Sequence, residues 1–322
     1  MDHADDDNHD NVFVYMGGSI PQRLRETITH VRVHKSVKII TREAFSGCRN
    51  LVSIEMHDGV EIIEDRAFRL CSSLRRINLT GVRVIEQGAF FCCKALADVE
   101  FGDKLETIGK YAFGNCTSLR NIKIPKVRVI EFAAFNGCDQ LTDAEFLSKD
   151  IETIEGYAFE SCRRLRHIVM PLKANLLENN VVFAGCNELS QVSLSGGIHK
   201  TISSLLLDSW RHEMNDETDR INRDLPNRAG YNKTATIQQW IERVLERIQD
   251  YKSEHYALLK NNMTQLELAL WKANLLNVDD AAARKHARVT CGANIIIPHV
   301  LSFLNDADEF PLLDCDLAAL RV

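Results

Sequence analysis

The feature that most limits what this chain can fold into is a ten-residue phrase that returns seven times. Its copies read REAFSGCRNL, DRAFRLCSSL, QGAFFCCKAL, KYAFGNCTSL, FAAFNGCDQL, GYAFESCRRL and NVVFAGCNEL. Phe45, Phe68, Phe90, Phe113, Phe135, Phe159 and Phe183 stand 23, 22, 23, 22, 24 and 24 residues apart, each followed by a cysteine three positions on and a leucine three after that. A fixed period of this length is the mark of a solenoid, in which each turn buries its apolar side only against its neighbours. After each leucine the chain alternates, as in Ile54/Met56, Ile77/Leu79, Val99/Phe101, Ile122/Ile124 and Ile168/Met170. Alternation with period two describes a strand with one face buried. A second short apolar segment follows a turn: VEII, VRVI, LETI, VRVI, IETI. Each coil is therefore expected to hold two short strands and a turn bearing A-F-x-x-C, with equivalent strands stacked in parallel at about 4.8 Å.

The full unit, I-x-x-x-A-F-x-x-C-x-x-L-x-x-I-x-Φ with Φ apolar, runs from about Val31 to Leu194. In this it resembles the BspA-type leucine-rich repeats. The stretch GGIHKTISSLLLDSW extends the likeness to diatom proteins of the type, which carry a helical C-terminal region. The resemblance implies a solenoid used for binding, and it brings no catalytic residues with it. The expected fold is thus a β-rich leucine-rich-repeat solenoid of about seven coils, followed by an α-helical C-terminal region.

Exposed positions on the second strand read Lys38, Glu61, Arg83, Glu106, Arg128 and Glu152, with the sign changing at every step. The first strand starts similarly, with Arg32, Glu55, Asn78, Glu100, Lys123 and Glu145. Opposite charges on stacked neighbours attract and like charges repel, so the series reads as register control on a solvated face. The repeat cysteines sit between a core phenylalanine and a core leucine, where a small, weakly polar side chain suits dry packing. Cys92, beside Cys93, occupies a slot filled in other coils by Gly47, Leu70, Asn115, Gly137, Ser161 and Gly185. A slot that accepts such different side chains has no chemical requirement, so Cys92 too is assigned to packing.

The ends divide the chain into 1–11, an acidic lead expected to be disordered, then 12–198, the solenoid with VFVYMGG as its N-terminal cap, and 199–322, an α-helical domain. In the last of these, Ile237, Ile241, Val244, Ile248 and Tyr251 alternate steps of four and three, a heptad-like seam through which a homo-oligomer could form. Asn261–Asn262 is the expected break in this helix. His286, Cys291, His299 and Cys315 are too irregularly spaced for a compact metal motif. No cofactor, metal or catalytic residue is assigned.

The formal charge of −6 does not suit a nucleic-acid binder. No apolar run is long enough to span a bilayer and no secretory leader is recognised, so the expectation is a cytoplasmic protein. The leading functional expectation is a non-catalytic protein–protein interaction scaffold. Its candidate surface is the first exposed position of each first strand: Ser53, Arg76, Asp98, Asn121, Asp143, His167 and Gln191. The helical tail serves as cap or as a second contact. A structural assembly protein, with coils stacking between chains, is the alternative. An enzyme with its site in the helical region lacks any convergent acid, base or nucleophile spacing.

Overall fold

In the computed structural model, residues 12–195 and 207–276 are described. The described strands, β1 to β15 in chain order, form two series. The first series consists of β1 (Val12–Tyr15), β2 (His30–Val33), β4 (Ser53–Glu55), β6 (Arg76–Leu79), β8 (Asp98–Phe101), β10 (Asn121–Ile124), β12 (Asp143–Phe146), β14 (His167–Met170) and β15 (Gln191–Leu194). The second consists of the two-residue strands β3 (Ile39–Ile40), β5 (Ile62–Ile63), β7 (Val84–Ile85), β9 (Thr107–Ile108), β11 (Val129–Ile130) and β13 (Thr153–Ile154). Every pairing is parallel, and the second series forms one continuous six-stranded sheet. The degraded seventh coil adds a single bridge, Ile154 to Leu177. The first series is interrupted. Its sheets are β1-β2-β4, then β6-β8, then β10-β12-β14-β15.

The coil interior is a set of parallel files. Phe45, Phe68, Phe90, Phe113, Phe135, Phe159 and Phe183 are all fully buried. Consecutive rings from Phe45 to Phe159 stack nearly parallel with centroids 5.0 to 5.3 Å apart. That spacing follows from the strand repeat, since identical side chains in register inherit the distance between coils. Tyr15 extends the file by one ring, 4.8 Å from Phe45. The repeat cysteines form a second file. Each thiol from Cys71 to Cys186 donates to the carbonyl of the phenylalanine one coil earlier, as in Cys93 Sγ to Phe68 O (3.0 Å) and Cys186 Sγ to Phe159 O (3.0 Å). Burial pushes the thiols of Cys71, Cys116, Cys138, Cys162 and Cys186 up from their ordinary pKa.

The slot before the repeat cysteine turns out to carry a requirement of conformation. Leu70, Cys92, Asn115 and Ser161 all have φ between 57° and 63°, and Gly47, Gly137 and Gly185 lie in the same left-handed region. Side chains of any chemistry can stand there, but every non-glycine residue does so against steric resistance.

The charge series is realised as separate pairs. On the second strands Lys38–Glu61 (4.0 Å), Arg83–Glu106 (2.9 Å) and Arg128–Glu152 (2.6 Å) form ion pairs. On the first strands Arg32–Glu55 (2.6 Å) and Lys123–Glu145 (3.8 Å) do the same, with Asn78 donating to Glu100 (3.2 Å) between them. Each long side chain leans toward one neighbour, so the ladder is built in two-coil steps.

Both ends of the stack are met by groups that imitate a further coil. Inside it, each phenylalanine N–H donates to the next coil, as in Phe68 N to Ala89 O (2.7 Å). At the first coil Ile20 N supplies the missing donor to Ala44 O (3.0 Å), and Arg25 of α1 (Gln22–Arg25) donates to the carbonyls of Ser46 and Glu43. After the last coil come α2 (Leu207–Asp224), two short 3-10 turns and α3 (Lys233–Leu276). There Phe183 N donates to Thr234 Oγ1 (2.9 Å) and Val192 N to Asn222 Oδ1 (2.8 Å). Lys233 Nζ donates to the carbonyls of Asn187 (2.7 Å) and Leu189 (2.6 Å), and burial lowers its pKa, opposed by Cys186.

Ser209–Arg247 belongs to the same compact unit as the coils, and α3 from Ile248 onward belongs to a second unit. Within the first unit Ile221, Leu225, Ile237, Trp240, Ile241 and Val244 are buried. The break expected at Asn261–Asn262 does not occur, because α3 continues unbroken to Leu276. Asparagine costs a helix interior only a fraction of a kcal/mol, about 0.6 relative to alanine, too little to stop a long helix. No described helix is long and apolar enough to cross a membrane. His286, Cys291, His299 and Cys315 lie outside the described residues, as do residues 1–11.

Candidate functional site

Parallel in-register pairing turns one position per coil into a row. Arg76 pairs with Asp98, and Asn121 pairs with Asp143, which pairs with His167, which pairs with Gln191. Ser53 takes the same position on β4, opposite His30. All seven residues therefore lie on the outward face of the first strands, where Arg76, Asp98, Asn121 and Gln191 are exposed and Ser53, Asp143 and His167 half-buried.

The breaks in the first-strand sheet shape this face. Neither β4 and β6 nor β8 and β10 are hydrogen-bonded to each other. Across this region lies a groove of about 660 Å³. Its rim is Arg76, Asn78, Asp98, Glu100, Asn121 and Lys123, and Ile54, Ile77, Val99, Phe101 and Pro125 also line it. Val99 is half-exposed, whereas its equivalents Val31, Ile77, Ile122, Ala144, Ile168 and Val192 are buried. The break between β8 and β10 thus leaves inward-facing apolar surface open to the groove. Periodicity could not have located it, because Val99 keeps the repeat pattern and only the strand pairing lapses.

The rim charges differ in how far they are already neutralised. Lys123 is paired with Glu145, and Glu100 accepts from Asn78. Arg76 and Asp98 share a register position, yet among the described residues neither is in an ion pair. A rim with an apolar floor and two uncommitted charges of opposite sign suits recognition of a protein surface more than of a polyanion. Further along the row, the Asn121 amide, with its nitrogen toward the carboxylate, donates to Asp143 Oδ2 (3.1 Å).

His167 Nε2 lies 2.9 Å from Ser193 Oγ, and its Nδ1 lies 3.7 Å from Asp143 Oδ1. The order of these groups matches a nucleophile, base and orienting acid, but 3.7 Å is too long for a hydrogen bond. Acyl transfer also needs donors converging on the developing oxyanion. The backbone N–H groups flanking Ser193, those of Val192 and Ser195, are committed to Asn222 Oδ1 and Met170 O. These contacts order the row and do not form a catalytic constellation.

On α3, the seam residues Ile237, Ile241 and Val244 are buried within the unit that holds the coils, while Ile248 and Tyr251 are half-buried.

The family model for the BspA type leucine rich repeat region matches six copies, over residues 24–128 and 106–211. Among solved structures, the chain is similar to a leucine-rich repeat protein from Bacteroides ovatus, with 25% identity over 56% of this chain and 55% of that one and a TM-score of 0.43. It is also similar to the T. pallidum leucine-rich repeat protein, with 27% identity over 49% of this chain and 76% of that one and a TM-score of 0.38. A leucine rich cell surface protein from Faecalibacterium prausnitzii shows 22% identity over 54% and 62% of the two chains, with a TM-score of 0.35. The chain spans 55% of the length of the Bacteroides ovatus protein. No curated protein matches it. With the repeat model matched over more than half of its residues, the chain belongs to the BspA-type leucine-rich repeat family.

Proposed function

We propose that the chain is a non-catalytic protein-interaction scaffold that binds through the outward face of its first strands. In this reading the groove across β4 to β10 is the anchor, and α2 with the start of α3 closes the last coil. The observation that carries the reading is the groove itself, where half-exposed Val99 sits beneath a rim holding the unpaired charges of Arg76 and Asp98. An apolar floor supplies affinity by burial, while uncommitted charges select the partner and its orientation. The rest of the row, from Asp143 through His167 to Gln191, extends the contact along the coils. The burial of Ile237, Ile241 and Val244 supports a capping role for the start of α3 over self-association through that seam.

Capture experiments with the full chain test the reading. The immobilised wild type and a Lys149→Glu control, altered at an exposed residue away from the groove, are expected to retain the same partner from a lysate of the source cells. A variant combining Arg76→Glu, Asp98→Lys and Lys123→Glu is expected to lose it while melting normally. Undiminished capture by that variant would exclude the groove as the anchor.

A further inference from the structure

A second set of side chains, on the A-F-x-x-C turns, is not required by the fold. Phe91, Tyr111, Phe132 and Tyr157 come from consecutive coils and meet edge to face, with ring centroids 6.3, 5.7 and 5.5 Å apart. The equivalent positions in other coils hold no aromatic residue. Ser46, Arg69, Gly114, Asn136, Glu160 and Ala184 correspond to Phe91, while Glu43, Arg66, Gly88, Ala133 and Val181 correspond to the two tyrosines. The rings are therefore not part of the repeat core, and Tyr111 is exposed.

The backbone at these rings follows the repeat, with one local accommodation. Tyr111 and Tyr157 have φ of 54° and 59°, the left-handed conformation that Glu43, Arg66, Gly88 and Ala133 also adopt at this position, so the turn and not the rings sets it. Gly114 leaves room for Phe91, since a Cβ at Gly114 would lie 3.0 Å from the Phe91 ring.

At the N-terminal end of the strip lies a hollow of about 500 Å³. Phe91 and Tyr111 wall it together with Arg66, Arg69 and Glu43, and Gln87 and Gly88 also line it. Arg66 is shared between Glu43 and Asp65, at 3.7 Å from each. Arg69 has no carboxylate within ion-pair distance among the described residues, which leaves a cation facing the aromatic walls. Arg69 and Lys94 both favour the thiolate of neighbouring Cys92, although burial outweighs them and raises that thiol's pKa.

We infer that this turn face is a second docking surface, separate from the first-strand groove, for an acidic peptide segment of a partner protein carrying aromatic or leucine side chains. The rings of Phe91, Tyr111, Phe132 and Tyr157 take the apolar side chains, and Arg69 takes the carboxylates. Tyrosine and arginine together are the side chains that most often dominate such contacts, because they combine large area with a polar handle.

Fluorescence polarisation with the full chain tests this directly. The probe is a fluorescein-labelled peptide alternating aspartate with phenylalanine. Its counterparts carry lysine in place of aspartate, or serine in place of phenylalanine. The acidic aromatic probe is expected to bind and both counterparts to bind weakly. Arg69→Glu and Tyr111→Ser should each weaken binding by on the order of tenfold, and Tyr111→Phe should retain it. Arg76→Glu, on the groove rim, should leave it unchanged. Equal binding of the lysine peptide, indifference to both Arg69→Glu and Tyr111→Ser, or no binding of the acidic probe overturns the inference. Loss of binding in Arg76→Glu alone overturns it as well, since the acidic peptide would then belong to the first-strand groove.

Discussion

At the residue scale, the seven repeat cysteines are structural groups of the coil interior. Each of those from Cys71 onward is a buried donor to a carbonyl one coil away, so the neutral S–H is the form the fold uses. Cys48, with no earlier repeat coil to donate to, is still pushed up to about 11 by burial, against the opposing influence of Arg25. A group whose folded pKa is raised stabilises the fold fully below its unfolded value and loses that contribution as pH climbs through the folded value. Stability to urea should therefore be level up to about pH 8 and fall from about pH 9 upward, as unfolded thiols ionise while the raised thiols of Cys48, Cys71, Cys116, Cys138, Cys162 and Cys186 stay protonated to higher pH. A urea midpoint that rises between these conditions would contradict the buried donors. The left-handed slot gives a second expectation. Cys92→Gly removes a strained side chain at φ 62° and should raise stability by roughly 0.5–1 kcal/mol, read as a higher melting temperature.

At the element scale, register in the stack is set by two devices of different reach. The phenylalanine and cysteine files fix the distance between coils but are the same in every coil, so they cannot tell one register from another. The charged positions differ from coil to coil and can. Glu106 donates nothing to the core, yet it pairs with Arg83 at 2.9 Å and stands one coil from Arg128. Replacing Glu106 by arginine sets three cations in consecutive coils, whereas glutamine only removes one pair. Glu106→Arg is expected to melt below Glu106→Gln, and the gap should shrink in high salt because these groups face solvent. The left-handed residues act on elements too. They recur at the same points in successive coils and let each turn close in the same path, which keeps the short second strands aligned.

At the scale of the whole molecule, the solenoid behaves as a chain of nearest-neighbour interfaces whose ends would otherwise be open. Ile20 and Arg25 supply the missing coil's donors at one end, and Thr234, Asn222 and Lys233 complete the other. Thr234→Val keeps the shape but removes the acceptor for the buried Phe183 N–H. An orphaned buried donor costs about 1–3 kcal/mol, so this variant should unfold at correspondingly lower urea concentration. A wild-type midpoint would mean that the contact does not hold the last coil closed.

The sequence alone determined the coil, its two strands and its buried files, because seven copies repeat the same apolar spacing and stacking leaves one way to bury it. It also identified the row from Ser53 to Gln191, since a strand's outward positions follow from the period of two. Tertiary structure decided what a repeat cannot encode. Whether β8 reaches β10 depends on how neighbouring coils sit against each other, so half-exposed Val99 is indistinguishable in sequence from its buried equivalents. The closing contacts of Thr234 and Lys233 join residues about fifty apart that share no pattern, and only the folded chain brings them together.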